Sequence, residues 1–141
     1  MQRKPIGKLI SLISRQNQKN LTKELKPYQI GGGGQHSFLK EILLRPGINQ
    51  DQLTTDLRFD KATTARNVKQ LEIAGYIERK VDEKDRRSYR LYPTQKAVDM
   101  HPILQNILKN ANKQLIHRLT SEEEDQLINL LQKLDSENED I

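Results

Sequence analysis

The chain predicts a mainly helical α+β domain with one small β-hairpin. Three observations carry that expectation. Two short capped helical patterns lie between Asn49 and Gly75, separated by only three residues. Two alternating segments with a charged tip between them follow, from Tyr76 to Leu91. In the flanking stretches 1–30 and 93–141, apolar residues recur at three and four residues, the period of an amphipathic helix. At 141 residues the chain is long enough for one core and short for two domains, so 1–141 reads as a single unit.

The elements follow in order. Ile6, Leu9, Ile10, Leu12 and Ile13 give a first amphipathic helix running to about Lys26, ahead of Pro27. Gly31-Gly32-Gly33-Gly34 lacks the Lys-Ser/Thr of a phosphate-binding loop, so a flexible joint between helices is the expectation. Phe38, Leu39, Ile42 and Leu43 mark a second helix that ends before Pro46-Gly47. Asn49 is an N-cap with Gln52 at the third helical position, a capping-box variant, and Leu53 and Leu57 share one face of the short helix it opens. Arg58-Phe59-Asp60 is the turn into the next helix, with Asp60 as N-cap and Gly75 in the left-handed position past its end. In that helix Ala65, Val68 and Leu71 are expected on the packed face, and Thr63, Arg66 and Gln70 on the opposite one. Two helices joined by so tight a turn form a helix-turn-helix, and the strands around Ile77–Val81 and Tyr89–Leu91 add a wing. Segment 35–92 is therefore a winged helix-turn-helix.

After Pro93-Thr94 a long helix carries Ala97, Ile103, Leu104, Ile107, Leu108, Ala111, Leu115 and Leu119, and Pro102 should kink it or divide it near His101. Thr120-Ser121-Glu122-Glu123 is a capping box that opens a last helix with Leu127, Ile128, Leu130, Leu131 and Leu134. These terminal helices hold more apolar surface than a small winged helix could cover alone.

The chemistry of the outer faces points to nucleic acid. Thr63, Arg66 and Gln70 offer the donors and acceptors that base edges require, with Arg66 suited to a bidentate pair on guanine. Lys61, Asn67, Lys69 and Lys84, with the basic first helix, are candidates for the DNA backbone. Charge is distributed to match. Residues 1–27 hold seven Lys/Arg against one acid, 58–90 hold ten against six, and 120–141 hold one against eight. A basic body with an acidic end orients an approaching polyanion, although for the acidic end itself solvation is the better explanation.

The order Asp60, Lys61, Thr63, Arg66, Leu71-Glu72, Gly75-Tyr76-Ile77, Arg79, Asp85-Arg86-Arg87 and Tyr92-Pro93-Thr94 resembles the MarR family of transcriptional regulators. The likeness runs from about Leu9 to Leu134, with Asp85-x-Arg87 at the wing its strongest part. Ala62 and Thr64 depart from the family pattern, where Ser and Val are frequent. The resemblance implies a homodimer whose first helix and last two helices interlock. Ile6, Leu9, Ile13, Leu108, Leu115, Leu119, Leu127, Leu131 and Leu134 would lie in that interface. It further implies that Arg87 enters the minor groove while Asp85 orients it, with Arg86 as a substitute or a phosphate contact. A small-molecule effector between the dimer helices and the winged part stays open, because the chain has only two Phe and four Tyr to line such a cleft.

The expected function is sequence-specific DNA binding by a homodimeric repressor, on a pseudo-palindromic operator and released by a small-molecule signal. The alternative is a winged helix that binds protein, which would have no need of Arg66 with Gln70 outward and Arg86 with Arg87 at the tip. An enzyme has little support. His36, His101 and His117 lie far apart, no HExxH or Gly-x-Ser-x-Gly occurs, and no metal or cofactor is expected. The absence of cysteine excludes disulfides and thiol-based sensing. With no apolar run near 18 residues and no signal core, a cytoplasmic location without membrane contact is expected.

Overall fold

A computed structural model of the protein describes residues 3–135; the last six residues of the acidic end lie outside them. Six helices and a two-stranded antiparallel sheet follow in the order α1 (Ile6–Leu25), α2 (Gln35–Leu44), α3 (Gln50–Leu57), α4 (Lys61–Ile73), β1 (Ile77–Val81), β2 (Tyr89–Pro93), α5 (Gln95–Ile116) and α6 (Ser121–Leu134). A 3-10 turn over Lys26–Tyr28 closes α1, where Pro27 removes a helical donor. The mainly helical class with a hairpin wing is what the sequence predicts.

Helix starts are set locally. Asn49 accepts from the Gln52 backbone N–H while the Gln52 side chain accepts from Asn49 N–H, and Thr120 and Glu123 repeat the arrangement at α6. The Asp60 carboxylate accepts from Thr63 N–H at 2.6 Å. At the far end of α4, Gly75 takes φ +86° and lets the chain turn straight into β1. β1 and β2 pair with Ile77 opposite Pro93 and Val81 opposite Tyr89. A bridge between Ile48 and Leu91 adds a short third strand position beside β2 that alternation alone did not predict.

The core gathers Leu25, Phe38, Leu39, Ile42, Leu53, Val68, Leu71, Leu91 and Leu104, all essentially closed to solvent. It lies under α2 with α3, α4, β2 and the first half of α5 around it. Only the end of α1 reaches this core, through Leu21 and Leu25, and no residue of α6 is buried.

Two expectations are corrected. The glycine run is a built corner. The Gly31 N–H donates to Gln35 Oε1 at 2.7 Å, a Cβ on Gly32 would sit 2.8 Å from Thr22 Oγ1, and Gly34 holds φ +87° against Phe59. Of the two outcomes expected at Pro102, the division is not found, since α5 runs unbroken from Gln95 to Ile116 with Pro102 on its exposed side. There the Val98 carbonyl it frees can take water. Leu108, expected between subunits, is partly buried and also packs against its own chain's core.

Candidate nucleic-acid interface

The α3–α4 pair is held as one piece. The Thr54 and Thr64 hydroxyls meet at 2.8 Å across the two helices, and Thr64 Oγ1 reaches the Asp60 carbonyl at 3.0 Å. Arg58 adopts φ +59° at the end of α3, which lets three residues reverse the chain. Phe59 then packs on Phe38 with ring centres 5.0 Å apart, fixing the turn to α2. Arg58 Nη1 donates to Asp135 Oδ1 at 2.5 Å, so the turn is also tied to the end of α6.

The outer face of α4 exposes Lys61, Arg66, Lys69 and Gln70, with Thr63 half-buried. Arg66 forms no hydrogen bond or ion pair among the described residues, so its five donors are available. Its positive charge helps hold the Asp60 carboxyl below the usual range, behind the larger effect of the hydrogen bonds from Thr63. A cap that stays ionised keeps the first turn of α4 closed.

The packed face of α4 differs from the expected one. Thr64, Asn67, Val68 and Leu71 are buried, and Ala65 is exposed. Asn67 is 6% exposed; its Nδ2 donates to the Thr63 carbonyl at 2.9 Å and its Oδ1 accepts from Gln35 Nε2 at 3.1 Å. That withdraws Asn67 from the phosphate contact expected of it, because both ends of its amide are spent inside the fold. Gln35 Nε2 also donates to Gln70 Oε1 at 2.6 Å. The sequence reading passed over Gln35, whose only signal is a polar residue at the start of a helix.

The wing tip is ordered by its acids. Asp82 Oδ1 accepts from Lys84 N–H at 2.9 Å, Asp82 N–H donates to the Ser88 carbonyl at 3.1 Å, and Ser88 N–H donates to the Asp85 carbonyl at 2.9 Å. The Lys84 amide, with Arg90 nearby, holds the Asp82 carboxyl below its usual range. Asp85 Oδ1 accepts from Arg87 N–H at 3.1 Å and lies 3.5 Å from Arg87 Nε. The Arg87 side chain is otherwise 95% exposed, a cation held at its base and free at its head. Asp82 was not singled out from sequence, although an Asx turn onto Lys84 is a common device.

One ion pair ties the wing to α4, and a second braces the wing itself and the loop before α3. Glu72, in the last turn of α4, lies 3.2 Å from Arg79 Nε on β1. Arg90 on β2 lies 3.4 Å from Asp82 and donates to the Gly47 carbonyl at 3.1 Å. The three histidines stay apart. His36 is half-buried in α2, and His117 Nδ1 lies 2.8 Å from the Gln114 carbonyl. Among the described residues no group of His, Cys, Asp or Glu gathers as a metal site, and no helix is long and apolar enough to cross a membrane.

Comparisons with known proteins agree with this geometry. The model of the MarR family matches residues 34–89. The chain is 32% identical over 101 residues to the uncharacterized HTH-type transcriptional regulator YybA of Bacillus subtilis (strain 168), covering 72% of this chain and 67% of that protein. A crystal structure of a MarR transcriptional regulator from Methanosarcina mazei Go1 superposes with a TM-score of 0.85 at 37% identity, covering 92% of each chain. A MarR family transcriptional regulator from Listeria monocytogenes, complexed with a 26mer DNA, superposes with a TM-score of 0.85 at 27% identity, covering 94% of this chain and 88% of that one.

Proposed function

The chain belongs to the MarR family of DNA-binding transcriptional regulators, and from that premise we propose that it is a homodimeric repressor reading a pseudo-palindromic operator. The observation that carries this reading is the outward face of α4, where Arg66 stands unpartnered beside Lys61, Lys69 and Gln70. Arg66, Gln70 and Thr63 meet base edges in the major groove, while Lys61, Lys69 and Lys84 meet phosphates. Arg87, held by Asp85, enters the neighbouring minor groove, where narrow A·T-rich steps attract a cation. Arg86, one residue back, is left for the phosphates. The crystal structure of the Listeria protein with DNA supports this use of the fold.

The dimer rests on uncovered apolar surface. Ile6, Ile13, Leu115, Leu127, Leu131 and Leu134 are all exposed in the single chain, on the two terminal helices and the end of α5. A second copy covers them, and the two recognition helices then face successive turns of DNA. A cleft of about 550 Å³ between α1 and α5, lined by Asn20, Lys23, Tyr28, Ile107, Asn110 and Gln114 among others, is large enough for a small effector that biases this arrangement.

The test is an electrophoretic shift and footprint on the DNA upstream of the protein's own gene. Protection of two half-sites centred roughly 10 base pairs apart is expected. A single asymmetric half-site bound by one chain contradicts the reading, and no preference over random DNA favours a protein-binding winged helix instead.

A further inference from the structure

We infer that Gln35 dictates the hydrogen-bonding sense of Gln70, so that α4 presents Gln70 to DNA as a donor only. This rests on the reading of α4 as the recognition helix. Gln35 is 1% exposed at the start of α2, yet every end of its amide is occupied. Its Oε1 takes the Gly31 N–H at 2.7 Å. A backbone N–H can only donate, so that end of the side chain is its oxygen. The Nε2 therefore points the other way, donating to Asn67 Oδ1 at 3.1 Å and Gln70 Oε1 at 2.6 Å.

Asn67 confirms the sense independently. Its Nδ2 donates to the Thr63 carbonyl at 2.9 Å, and a carbonyl can only accept. The Asn67 oxygen is thereby turned to Gln35. Two buried amides, each anchored on a backbone group of fixed polarity, meet with complementary ends. Reversing either would set oxygen against oxygen or N–H against N–H. Gln70 is the exposed end of this chain and inherits its direction: oxygen inward, NH2 outward.

The consequence is a restriction on base choice. A Gln read bidentately on adenine gives its oxygen to N6–H2 and its NH2 to N7. Gln70 has its oxygen turned inward onto Gln35, so the bidentate adenine pair is lost and the outward NH2 favours acceptors not flanked by a donor: guanine N7 or O6, or thymine O4, over adenine N7 with its neighbouring N6–H2. Gln35 is thus a positioning residue for base choice, acting from beneath the interface without touching DNA.

The experiment measures binding of the full chain to an operator library with all four bases at every position. The position that Gln70 reads is the one where Gln70→Ala loses discrimination. Wild type should prefer guanine or thymine there. Gln35→Met removes the inward donor, so Gln70 can turn its oxygen outward, and discrimination against adenine should fall roughly tenfold at that position alone. A merely structural role for Gln35 would weaken all sequences together and leave the preference intact.

Gln70→Glu provides a second reading on a surface residue that does not threaten folding. Its carboxylate still accepts from Gln35 but now faces DNA with an acceptor, so preference should move to cytosine or adenine. Adenine preferred by wild type, no position sensitive to Gln70→Ala, or a Gln35→Met profile identical to wild type would each overturn the inference while specific binding persists. Loss of all sequence preference in the wild-type protein would instead remove the recognition-helix reading, and this inference with it.

Discussion

At the scale of single residues, the wing offers the sharpest conflict between two physical effects. Asp85 is a negative charge near a polyanion, and simple electrostatics says that removing it should tighten binding. Its carboxylate also receives the Arg87 N–H at 3.1 Å, which fixes the base of a side chain otherwise 95% exposed. Pre-orientation reduces the entropy lost when Arg87 is captured. The orienting effect should win, so Asp85→Ala should weaken binding at about 150 mM salt, where exposed charges are screened beyond roughly 8 Å. Arg87→Ala should lose most on operators with A·T-rich flanks. Tighter binding by Asp85→Ala, measured by fluorescence anisotropy, would remove the orienting role. A second residue sets a pH dependence. Burial, and then the charge of Lys40, lower the His36 pKa below 6.5, so the fold holds this imidazole neutral. The unfolded chain takes up the proton first as pH falls. The stability His36 confers is therefore present above about pH 6.5 and is lost as pH falls toward its folded value. Urea midpoints compared between about pH 7.5 and 5.5 should drop less for His36→Gln than for wild type. Equal drops would deny His36 this role.

At the scale of elements, what could be read from sequence depended on how local the cause was. The caps Asn49, Asp60 and Thr120 were legible because each satisfies a donor three residues away, as the structure finds. The span of α3 and the hairpin were legible for the same reason. The packed face of α4 was only partly so, because Thr64 and Asn67 occupy it and are satisfied by Thr54 and by Gln35, residues 10 and 32 positions away. Periodicity counts apolar residues and cannot see a polar contact made across that distance. The glycine corner failed likewise: composition suggests freedom, whereas Thr22, Gln35 and Phe59 close around it. Gly34 tests the point. Its φ of +87° is one that side chains rarely adopt, so Gly34→Ala should cost about 1–2 kcal/mol of stability. Unchanged denaturant midpoints would show that the corner relaxes freely.

At the scale of the whole molecule, α6 is the clearest sign that one chain is not the complete unit. Its capping box is formed, yet Leu127, Leu130, Leu131 and Leu134 are between 39% and 70% exposed. In the proposed homodimer, an amphipathic helix so placed gains its burial from the second copy. Sedimentation should find a dimer at micromolar concentration, and deletion of residues 121–141 should leave the protein aggregated or unfolded. A well-folded monomer from either would defeat the proposed assembly. In the proposed reading dimerisation sets the spacing of half-sites, while reading the sequence within each falls to α4, with Arg66 as an exposed, unpaired donor. The most direct measurement titrates wild type, Arg66→Ala and Lys69→Ala against cognate and random DNA under one salt condition. Arg66→Ala should lose about 1–3 kcal/mol on the cognate site and relax discrimination at one base, with far less change on random DNA. Lys69→Ala should weaken both DNAs alike. Equal losses for Arg66→Ala on the two DNAs would make Arg66 a phosphate contact and contradict base reading by this helix.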